Sequence, residues 1–426
     1  MTSSILIQNV LLDGARKDVL IEGNIIKSIS EPTRVKPLIL NGEYIDGSNF
    51  ALFPSLANMH THSAMSLFRG YGDDLPLEQW LQEKIWPNEA NLTPEIVYWG
   101  SKLACLEMIK SGTTCFNDMY FFPFETARVA REMGIRATVS LTFFDQFDTA
   151  LAKKVRDDWQ YFLLRKEQQS QNDLIRYAIA PHAVYTVSGE TLKWAFAESE
   201  KHKIPFHIHA AESPTECDNA RRDFGDTPVR YLSKLGCLAE NTIVAHGVWL
   251  DDDEVAMLGE RRCSVVHNPN SNLKLASGHA FRYEELRAAG ANVCLGTDGC
   301  SSSNNLDMIE ASKVMSLLQK GWRLDPLSLP AAEVLKVASR NGFKAMGVEA
   351  GEIAEGKLAD MILVDLDNLA FVPNNDTTSN LVYAAHGDCV DTVICNGRIV
   401  MQNRYVPGEE KIITEARRIV KRLITH

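Results

Sequence analysis

The middle of the chain alternates short apolar runs with longer stretches of helical spacing. The apolar runs, each typical of a buried strand, are Thr138-Val139-Ser140-Leu141, Tyr177-Ala178-Ile179-Ala180, Phe206-His207-Ile208-His209, Thr242-Ile243-Val244-Ala245, Ser264-Val265-Val266 and Val293-Cys294-Leu295-Gly296. Helices are predicted over Pro94 to Ser111, Glu190 to His202 and Asp251 to Gly259. Strands that alternate with helices imply a parallel sheet. The pattern predicts an α/β protein whose residues 55–356 form a closed (β/α)8 TIM-like barrel.

Both ends of the chain differ from the middle, because short strands and tight turns replace the alternation. The apolar runs there are Ile5-Leu6-Ile7, Val19-Leu20-Ile21, Met361-Ile362-Leu363-Val364 and Thr392-Val393-Ile394. Asn396-Gly397 is typical of a two-residue hairpin turn. We therefore expect residues 1–54 and 357–410 to form one small composite β domain, a β-sandwich built from both chain ends. Beyond it, apolar residues at helical spacing predict a C-terminal helix over 411–426.

The composition is that of an ordinary globular protein, with 45% hydrophobic and 23% charged residues in 426. A formal net charge of -11 argues against a nucleic-acid partner, although it does not exclude a neutral nucleoside. No apolar run reaches the roughly 18 residues of a transmembrane helix, so no membrane partner is expected. Nine cysteines without CxxC spacing, and a start unlike a signal peptide, indicate reduced thiols and a cytoplasmic protein.

Polar, reactive side chains recur where the predicted strands end. They are His60, His62, Asn117, Asp118, His182, His209, His246, His267 and Asp298. In barrels of this type the active site lies at the carboxyl ends of the strands. A random scatter of 11 histidines would not return to that position so often, so we predict that these residues converge on one site.

Three histidines and one aspartate of this set suit a divalent metal. His60 and His62 alternate along a strand and therefore face the same way. His207 and His209 also share a face; we predict that His209, nearer the strand end, is the ligand and that His207 is a deeper, hydrogen-bonded residue. Asp298 is flanked by glycine and can approach a metal closely. This nitrogen-rich set predicts one Zn²⁺ per subunit and tolerates Fe²⁺.

Two further residues are placed to act beside the metal. Glu212 lies just beyond the strand that carries His209, where a carboxyl group can move protons. His246 ends the following strand and could orient the attacking water or the substrate, while Asp298 could take up the proton of the water. A metal that lowers the pKa of water to about 7 would make this a site of metal-assisted hydrolysis.

Each of these residues also has an ordinary structural interpretation. His60 and His62 could be a solvated or core pair, and Asp298 could be a turn residue within Thr-Asp-Gly. Glu212 could be a surface-loop carboxylate, and His246 could be a buried structural histidine.

The strand positions of these residues resemble those of the amidohydrolase superfamily. The matching residues are His60 and His62 after the first barrel strand, His209 after the fifth, His246 after the sixth and Asp298 after the eighth. The segment from Gly351 to Asp360 is similar to the entry into the small β domain of that family. Many members hold two metals that a carboxylated lysine on the fourth strand bridges. The fourth strand here, Tyr177 to His182, has no lysine, which resembles the one-metal deaminase branch.

Longer stretches are similar to the 5'-methylthioadenosine/S-adenosylhomocysteine deaminases of that superfamily. They are His62 to Leu77, Trp86 to Glu89, Thr113 to Tyr120, Ala180 to His182 and His267 to Asn272. The resemblance implies that Glu89 holds the ribose hydroxyls and that His182 contacts the nucleoside. It also implies that Glu212 contacts the adenine ring and transfers a proton. A carboxylate suits a vicinal diol, and the indole of Trp86 offers a face for stacking.

The loop after the third strand departs from the family pattern. Some members place an arginine from this loop on the substrate, whereas the loop here opens Phe143-Phe144-Asp145-Gln146-Phe147-Asp148. Its phenylalanines suit an apolar thioether better than a charged homocysteine tail.

The function expected from the site and the resemblance is hydrolytic deamination of an adenine nucleoside. The candidate substrates are 5'-methylthioadenosine, S-adenosylhomocysteine and adenosine, each converted to its inosine analogue and ammonia. One alternative is a related deaminase or chlorohydrolase that acts on a free base or a triazine, which would have no use for Glu89. A remote alternative is a non-catalytic barrel protein, although such proteins lose metal ligands. The sequence leaves the oligomeric state open, with a homo-oligomer among the alternatives.

Overall fold

The computed structural model describes residues 4–33, 42–168 and 173–424. The strands, in chain order, are β1 (Ser4–Leu12), β2 (Ala15–Glu22), β3 (Ile25–Ser30), β4 (Gly42–Asp46), β5 (Phe50–Pro54), β6 (Leu56–Thr61), β7 (Thr113–Asp118), β8 (Arg136–Phe143), β9 (Ile175–Pro181), β10 (Phe206–Ala210), β11 (Thr242–His246), β12 (Ser264–His267), β13 (Asn292–Leu295), β14 (Met361–Asp365), β15 (Val390–Cys395) and β16 (Arg398–Met401).

The α-helices are α1 (Leu77–Trp80), α2 (Trp86–Glu89), α3 (Pro94–Lys110), α4 (Pro123–Met133), α5 (Thr149–Gln168), α6 (Gly189–His202), α7 (Pro214–Phe224), α8 (Pro228–Lys234), α9 (Asp252–Glu260), α10 (Pro269–Lys274), α11 (Tyr283–Ala289), α12 (Cys300–Ser303), α13 (Met308–Arg323), α14 (Ala331–Ala338), α15 (Arg340–Ala345), α16 (Thr377–Tyr383) and α17 (Glu409–Leu423). A π-helical segment, Leu81–Ile85, joins α1 to α2. The 3₁₀ segments are Ser63–Phe68, Leu369–Phe371 and Gly387–Cys389.

Strands β6 to β13 pair in chain order and form the eight-stranded sheet of the predicted barrel. All of these pairings are parallel. The helices predicted over Pro94 to Ser111, Glu190 to His202 and Asp251 to Gly259 correspond to α3, α6 and α9. The α/β barrel architecture is therefore confirmed.

The first and last barrel strands meet at a seam, which consists of β6, β13 and the residues that follow β13. Asn58 Nδ2 donates to Thr297 Oγ1 at 2.7 Å, and Thr297 N donates to Asn58 Oδ1 at 3.0 Å. Asp298 N donates to the carbonyl oxygen of His60 at 3.0 Å. A Cβ atom on Gly296 would lie 2.9 Å from His60 N, so this approach requires glycine. The seam therefore holds Asp298 directly beside His60.

The second sheet combines strands from both ends of the chain in the order β16-β15-β14-β5-β1-β2-β3, with β4 beside β1. Side chains alternate along β14: Met361 and Leu363 join the apolar core of this sheet, whereas Ile362 and Val364 join the core of the barrel. One face of the sheet therefore lies against the barrel. The small β domain built from both chain ends is confirmed, and hydrogen bonds connect its eight strands into one sheet.

The division of the chain into domains at residues 54/55 and 356/357 stays a prediction. The C-terminal helix α17 begins at Glu409 instead of residue 411, and residues 425–426 lie outside the described residues. Ala416 and Ile419 of α17 pack in one apolar cluster with Trp80 and Ile85. The end of the chain thus supports the segment that joins α1 to α2.

Two surface and redox properties follow from the side chains. Among the described residues, no helix combines the length and the apolar composition that a membrane span requires. All nine cysteines are free and buried. Burial raises the pKa of each thiol, which keeps the cysteines protonated and unreactive.

A buried ion pair joins the barrel to the small sheet. Arg136 of β8 donates to both carboxylate oxygens of Asp360, from Nε at 2.8 Å and from Nη2 at 2.9 Å. Both side chains are almost completely excluded from solvent. A bidentate ion pair of this kind fixes the orientation of the small sheet on the barrel, and the loss of one partner leaves the other charge buried and unpaired.

We predict that Arg136→Ala lowers the free energy of unfolding by about 3–5 kcal/mol, because the Asp360 carboxylate stays buried without its partner. Urea denaturation measures this change. The control is Lys154→Ala, which removes an exposed pair with Asp158 and should change stability little. Equal stability of the two variants would contradict a joining role for the buried pair.

Candidate active site

A cavity of about 450 Å³ opens at the carboxyl ends of the barrel strands. Every residue that was assigned a catalytic, substrate-binding or metal-binding role from sequence lines it except His60, which is fully buried beneath it. Three other strand-end residues expected to converge here, Asn117, Asp118 and His267, are buried and do not line the cavity. The lining residues from the predicted set are His62, Trp86, Glu89, His182, His209, Glu212, His246 and Asp298. The structure therefore brings together side chains from the carboxyl ends of β6, β9, β10 and β11, from α2 and from the loop after β13.

Imidazoles and a carboxylate cluster on the floor of the cavity. His60 Nε2 and His62 Nε2 lie 3.3 and 3.1 Å from Asp298 Oδ1. The ligand atoms of His60, His62 and Asp298 lie within 4.8 Å of one another, as do those of His60, His209 and His246. His60 Nε2 is buried and has no hydrogen-bond partner among the described residues. A buried, unpartnered nitrogen among these groups fits a divalent cation.

Hydrogen bonds on the far side of two rings aim them at this floor. His62 Nδ1 lies 2.6 Å from the carbonyl oxygen of Met119, and His209 Nδ1 lies 2.8 Å from that of His182. Each Nδ1 therefore carries a hydrogen and donates it, which directs Nε2 at the floor. Metal-binding histidines are held in this way.

His207 lies one layer deeper in the barrel. Its Nε2 is 3.1 Å from His60 Nδ1, and its Nδ1 is 3.1 Å from Asn117 Nδ2. Burial, reinforced by the neighbouring histidines, holds the pKa of His207 well below its usual value. His207 is thus a neutral, hydrogen-bonded support for the ring of His60.

Two serines orient the carboxylate of Asp298. Its Oδ2 accepts hydrogen bonds from Ser271 Oγ at 2.7 Å and Ser302 Oγ at 2.9 Å, so Oδ1 faces the imidazoles. Burial opposes ionisation, but the adjacent imidazoles of His60 and His62 outweigh it and hold the pKa of Asp298 well below its usual value. The carboxylate is therefore ionised and fixed in direction at neutral pH.

His246 differs from the other rings because an amide group meets its Nδ1. Asn272 Nδ2 donates to this nitrogen at 3.0 Å, so the hydrogen of the ring is on Nε2. Nε2 lies 3.6 Å from Glu212 Oε2. Burial lowers the pKa of His246, which keeps the ring neutral. This arrangement favours a hydrogen-bond donor at Nε2 over a metal ligand.

A backbone kink turns Glu212 into the cavity. Ala211 adopts a left-handed conformation, with φ at 56°. Val248 N and Trp249 N both donate to the carbonyl oxygen of Ala211 at 2.9 Å, and Glu212 N donates to Glu216 Oε2 at 2.7 Å. These bonds stabilise a backbone conformation that residues other than glycine rarely adopt.

The carboxyl group of Glu212 is protonated at neutral pH. Burial, followed by the negative charge of Asp298, raises its pKa to about 8. Burial also raises the pKa of Glu216 to about 7. At pH 7, Glu212 therefore holds a proton that it can donate to a bound molecule.

The outer wall of the cavity carries the remaining predicted residues. Glu89 is half-buried opposite Tyr120, and burial together with the Glu89 charge raises the pKa of Tyr120 well above its usual value. Trp86 lies at the mouth with 41% of its surface exposed. His182 Nδ1 is 2.9 Å from Thr186 Oγ1, and the ring centre of His182 is 4.9 Å from that of His209.

Several residues that orient the site were not assigned a role from sequence. They are Ser271, Asn272, Ser302, Tyr120 and Glu216. Glu216 had a usable signal, because Ser213-Pro214-Thr215-Glu216 matches a capping box at the start of α7. Its side chain bonds the backbone N–H of Glu212 instead of that of Ser213, which local spacing does not predict.

The fold and the site define the class of protein. Residues 51–400 match the model of the Amidohydrolase family, and the chain belongs to this family.

Individual relatives are similar over most of the chain. A 5'-deoxyadenosine deaminase of Methanospirillum hungatei is 51% identical over 377 residues, which are 88% of this chain and 83% of the relative. A 5-methylthioadenosine/S-adenosylhomocysteine deaminase of Archaeoglobus fulgidus is 46% identical over 390 residues, 89% of this chain and 90% of the relative. The crystal structure of an adenosine deaminase from Xanthomonas campestris with bound zinc has a TM-score of 0.88 and 33% identity. It covers 99% of this chain and 98% of that one.

We predict that Glu212→Gln stabilises the metal-free protein relative to the unsubstituted chain, and more so at pH 8.5 than at pH 5. The folded-state pKa of about 8 exceeds the ordinary 4.5, so the unsubstituted protein loses stability as pH rises between these values. Glutamine does not ionise. Urea denaturation at both pH values should give a difference that grows by at least about 1 kcal/mol. The exposed Glu167→Gln is the control, and a pH-independent difference for Glu212→Gln would contradict the raised pKa.

Proposed function

We propose that this chain is a metal-dependent aminohydrolase that deaminates the adenine ring of a nucleoside. The water oxygen replaces the amino group on C6, which leaves as ammonia and yields the inosine analogue. The observation that carries the proposal is the cluster of buried imidazole and carboxylate groups beside a protonated Glu212. The deaminase names of relatives at 51% and 46% identity support the same reaction.

We assign one divalent metal, zinc with Fe²⁺ as a tolerated substitute, to His60, His62, His209 and Asp298. The unpartnered Nε2 of His60 and the Nδ1 bonds that orient His62 and His209 support this ligand set. Strand β9, where a lysine that bridges two metals would lie, contains no lysine. When bound, the metal would lower the pKa of water to about 7 and so supply the nucleophile.

The protein groups then divide the proton transfers between them. Glu212 donates its proton to N1 of the ring, which makes C6 electrophilic. Asp298 accepts a proton from the attacking water, and the Nε2 hydrogen of His246 orients the water oxygen. The proton on Asp298 passes to the amino group, which leaves as ammonia. As the C6–N bond breaks, the new C6 hydroxyl group returns its proton to Glu212 and becomes the carbonyl of the inosine analogue.

The wall residues provide the contacts to the sugar. Glu89 accepts hydrogen bonds from the two ribose hydroxyls, because a carboxylate can accept from both. His182 contacts the nucleoside and Trp86 covers it from the mouth. The proposed substrates are 5'-methylthioadenosine and S-adenosylhomocysteine, with adenosine and 5'-deoxyadenosine as further adenine nucleosides.

We predict that Glu212→Gln keeps the metal but lowers kcat by about 100- to 10,000-fold, because the ring loses its proton donor. Metal content by mass spectrometry and the adenine-to-hypoxanthine absorbance change are measured on the same preparation. His209→Ala is the matched comparison, since it should lose both metal and activity. A near-normal rate for Glu212→Gln would refute the assigned proton transfer.

We predict that adenine nucleosides react at least about tenfold faster than adenine base in kcat/KM, since the ribose hydroxyls bind the charged acceptor Glu89. Glu89→Ala should remove most of this preference and leave the slow reaction of adenine unchanged. If adenine reacts best in the unsubstituted enzyme, the nucleoside assignment is wrong and a free-base hydrolase replaces it.

A further inference from the structure

The outer half of the cavity is built from aromatic rings that follow His182 away from the metal-binding floor. The ring centre of His182 lies 4.9 Å from that of His209 on the floor side and 5.7 Å from that of Tyr185 on the other. Phe144 lies 6.1 Å from His182, and Phe121 lies 6.2 Å from Phe144. These distances describe a continuous aromatic wall that begins at the nucleoside contact.

No lysine or arginine is among the described residues that line the cavity. The cations nearest in sequence to the lining turn elsewhere. Lys84 lies between Leu81 and Ile85, but its Nζ is 5.7 Å from the ring centre of Tyr71 outside the cavity. Lys274 precedes Leu275, but it forms an ion pair with Asp73.

The ionisable side chains that influence Tyr185 on the aromatic wall are carboxyl groups. Burial raises the pKa of Tyr185 well above its usual value, and the charges of Glu212, Glu216 and Glu78 raise it further. A carboxylate placed in this part of the cavity would therefore give up part of its hydration and find no lysine or arginine among the described lining residues.

We infer that this wall is the subsite for the 5' substituent and that it selects uncharged substituents over the zwitterionic homocysteine tail. The inference rests on the proposed function, in which Glu89 holds the 2' and 3' hydroxyls and Glu212 meets the ring. We assign the 5' carbon, which the ribose carries apart from these two hydroxyls, to the part of the cavity that His182, Phe144 and Tyr185 line.

The tail chemistry decides between substrates. A methyl or methylthio group buries apolar surface against the wall, which is favourable. The homocysteine tail carries an ammonium and a carboxylate on one carbon, and the lining residues offer the carboxylate no lysine or arginine to offset its loss of hydration. The substrate class is therefore an adenine nucleoside with a small apolar group at the 5' position.

The test compares adenine nucleosides that differ only in the charge and length of the 5' tail. They are 5'-methylthioadenosine, the uncharged 5'-butylthio analogue, the anionic 5'-(3-carboxypropylthio) analogue and S-adenosylhomocysteine. We expect kcat/KM for the uncharged pair to exceed that for the charged pair at least about tenfold, since a buried charge goes unpaired. The butylthio tail has as many carbons as the 3-carboxypropylthio tail, so a difference between these two analogues reports tail charge and not tail length. Equal rates for all four would overturn the inference and leave the proposed deamination intact.

A second experiment places a cationic side chain in the cavity lining. Gln146 lines the mouth of the cavity, is exposed, and already adopts a left-handed backbone at φ 48°. Gln146→Arg should raise kcat/KM for the anionic analogue several-fold and leave 5'-methylthioadenosine unchanged. Gln146→Met introduces an uncharged side chain of similar length. It is the control and should not raise kcat/KM for the anionic analogue.

The outcomes separate the two proposals. The inference is supported if kcat/KM for the anionic analogue rises with Gln146→Arg but not with Gln146→Met, and if higher salt reduces this rise. An unsubstituted enzyme that already prefers the anionic analogue contradicts it. If no adenine nucleoside of the series is deaminated by the metal-loaded enzyme, the proposed function itself fails and the inference fails with it.

Discussion

The seam between β6 and β13 is the contact on which the site depends. Two hydrogen bonds between Asn58 and Thr297 close the ring of parallel strands, and the bond from Asp298 N to the His60 carbonyl fixes the ends of both strands. Gly296 permits this approach, because any side chain there would meet the backbone of His60. Groups 238 residues apart in sequence thereby come within 3.3 Å. A small shift at the seam would separate the imidazoles from their carboxylate.

Burial of so many ionisable groups in one place sets their protonation. Desolvation lowers the pKa of His60 to about 4 and that of His182 to about 3, so both rings are neutral. Burial also disfavours the charged form of His62, but the bond to Asp298 outweighs it and raises the pKa of His62 to about 9. Metal binding at this ring must therefore release a proton. The floor is prepared for a cation, while Glu212 above it holds the proton that the proposed mechanism transfers to the ring.

The sequence predicted the barrel and the convergence of its strand-end residues because both follow from local periodicity. Alternation placed His60 and His62 on one face, and parallel pairing brought them to the same end as His209 and Asp298. Contacts between distant segments were not predictable in this way. The bond from Asn272 that sets the tautomer of His246 depends on how two loops pack, and so do the joining pair Arg136–Asp360 and the support of Glu212 by Glu216. The pattern of residues within one loop does not predict which residues of a distant loop it contacts.

The proposed deamination depends on one metal ion per chain at the floor of the cavity. Its most direct test is a titration of zinc into the metal-free protein, followed by the rate of 5'-methylthioadenosine deamination. The account predicts a rate that rises in proportion to added zinc and stops rising at one equivalent per chain. Full activity without metal, or a rate that continues to rise to two equivalents, would contradict it.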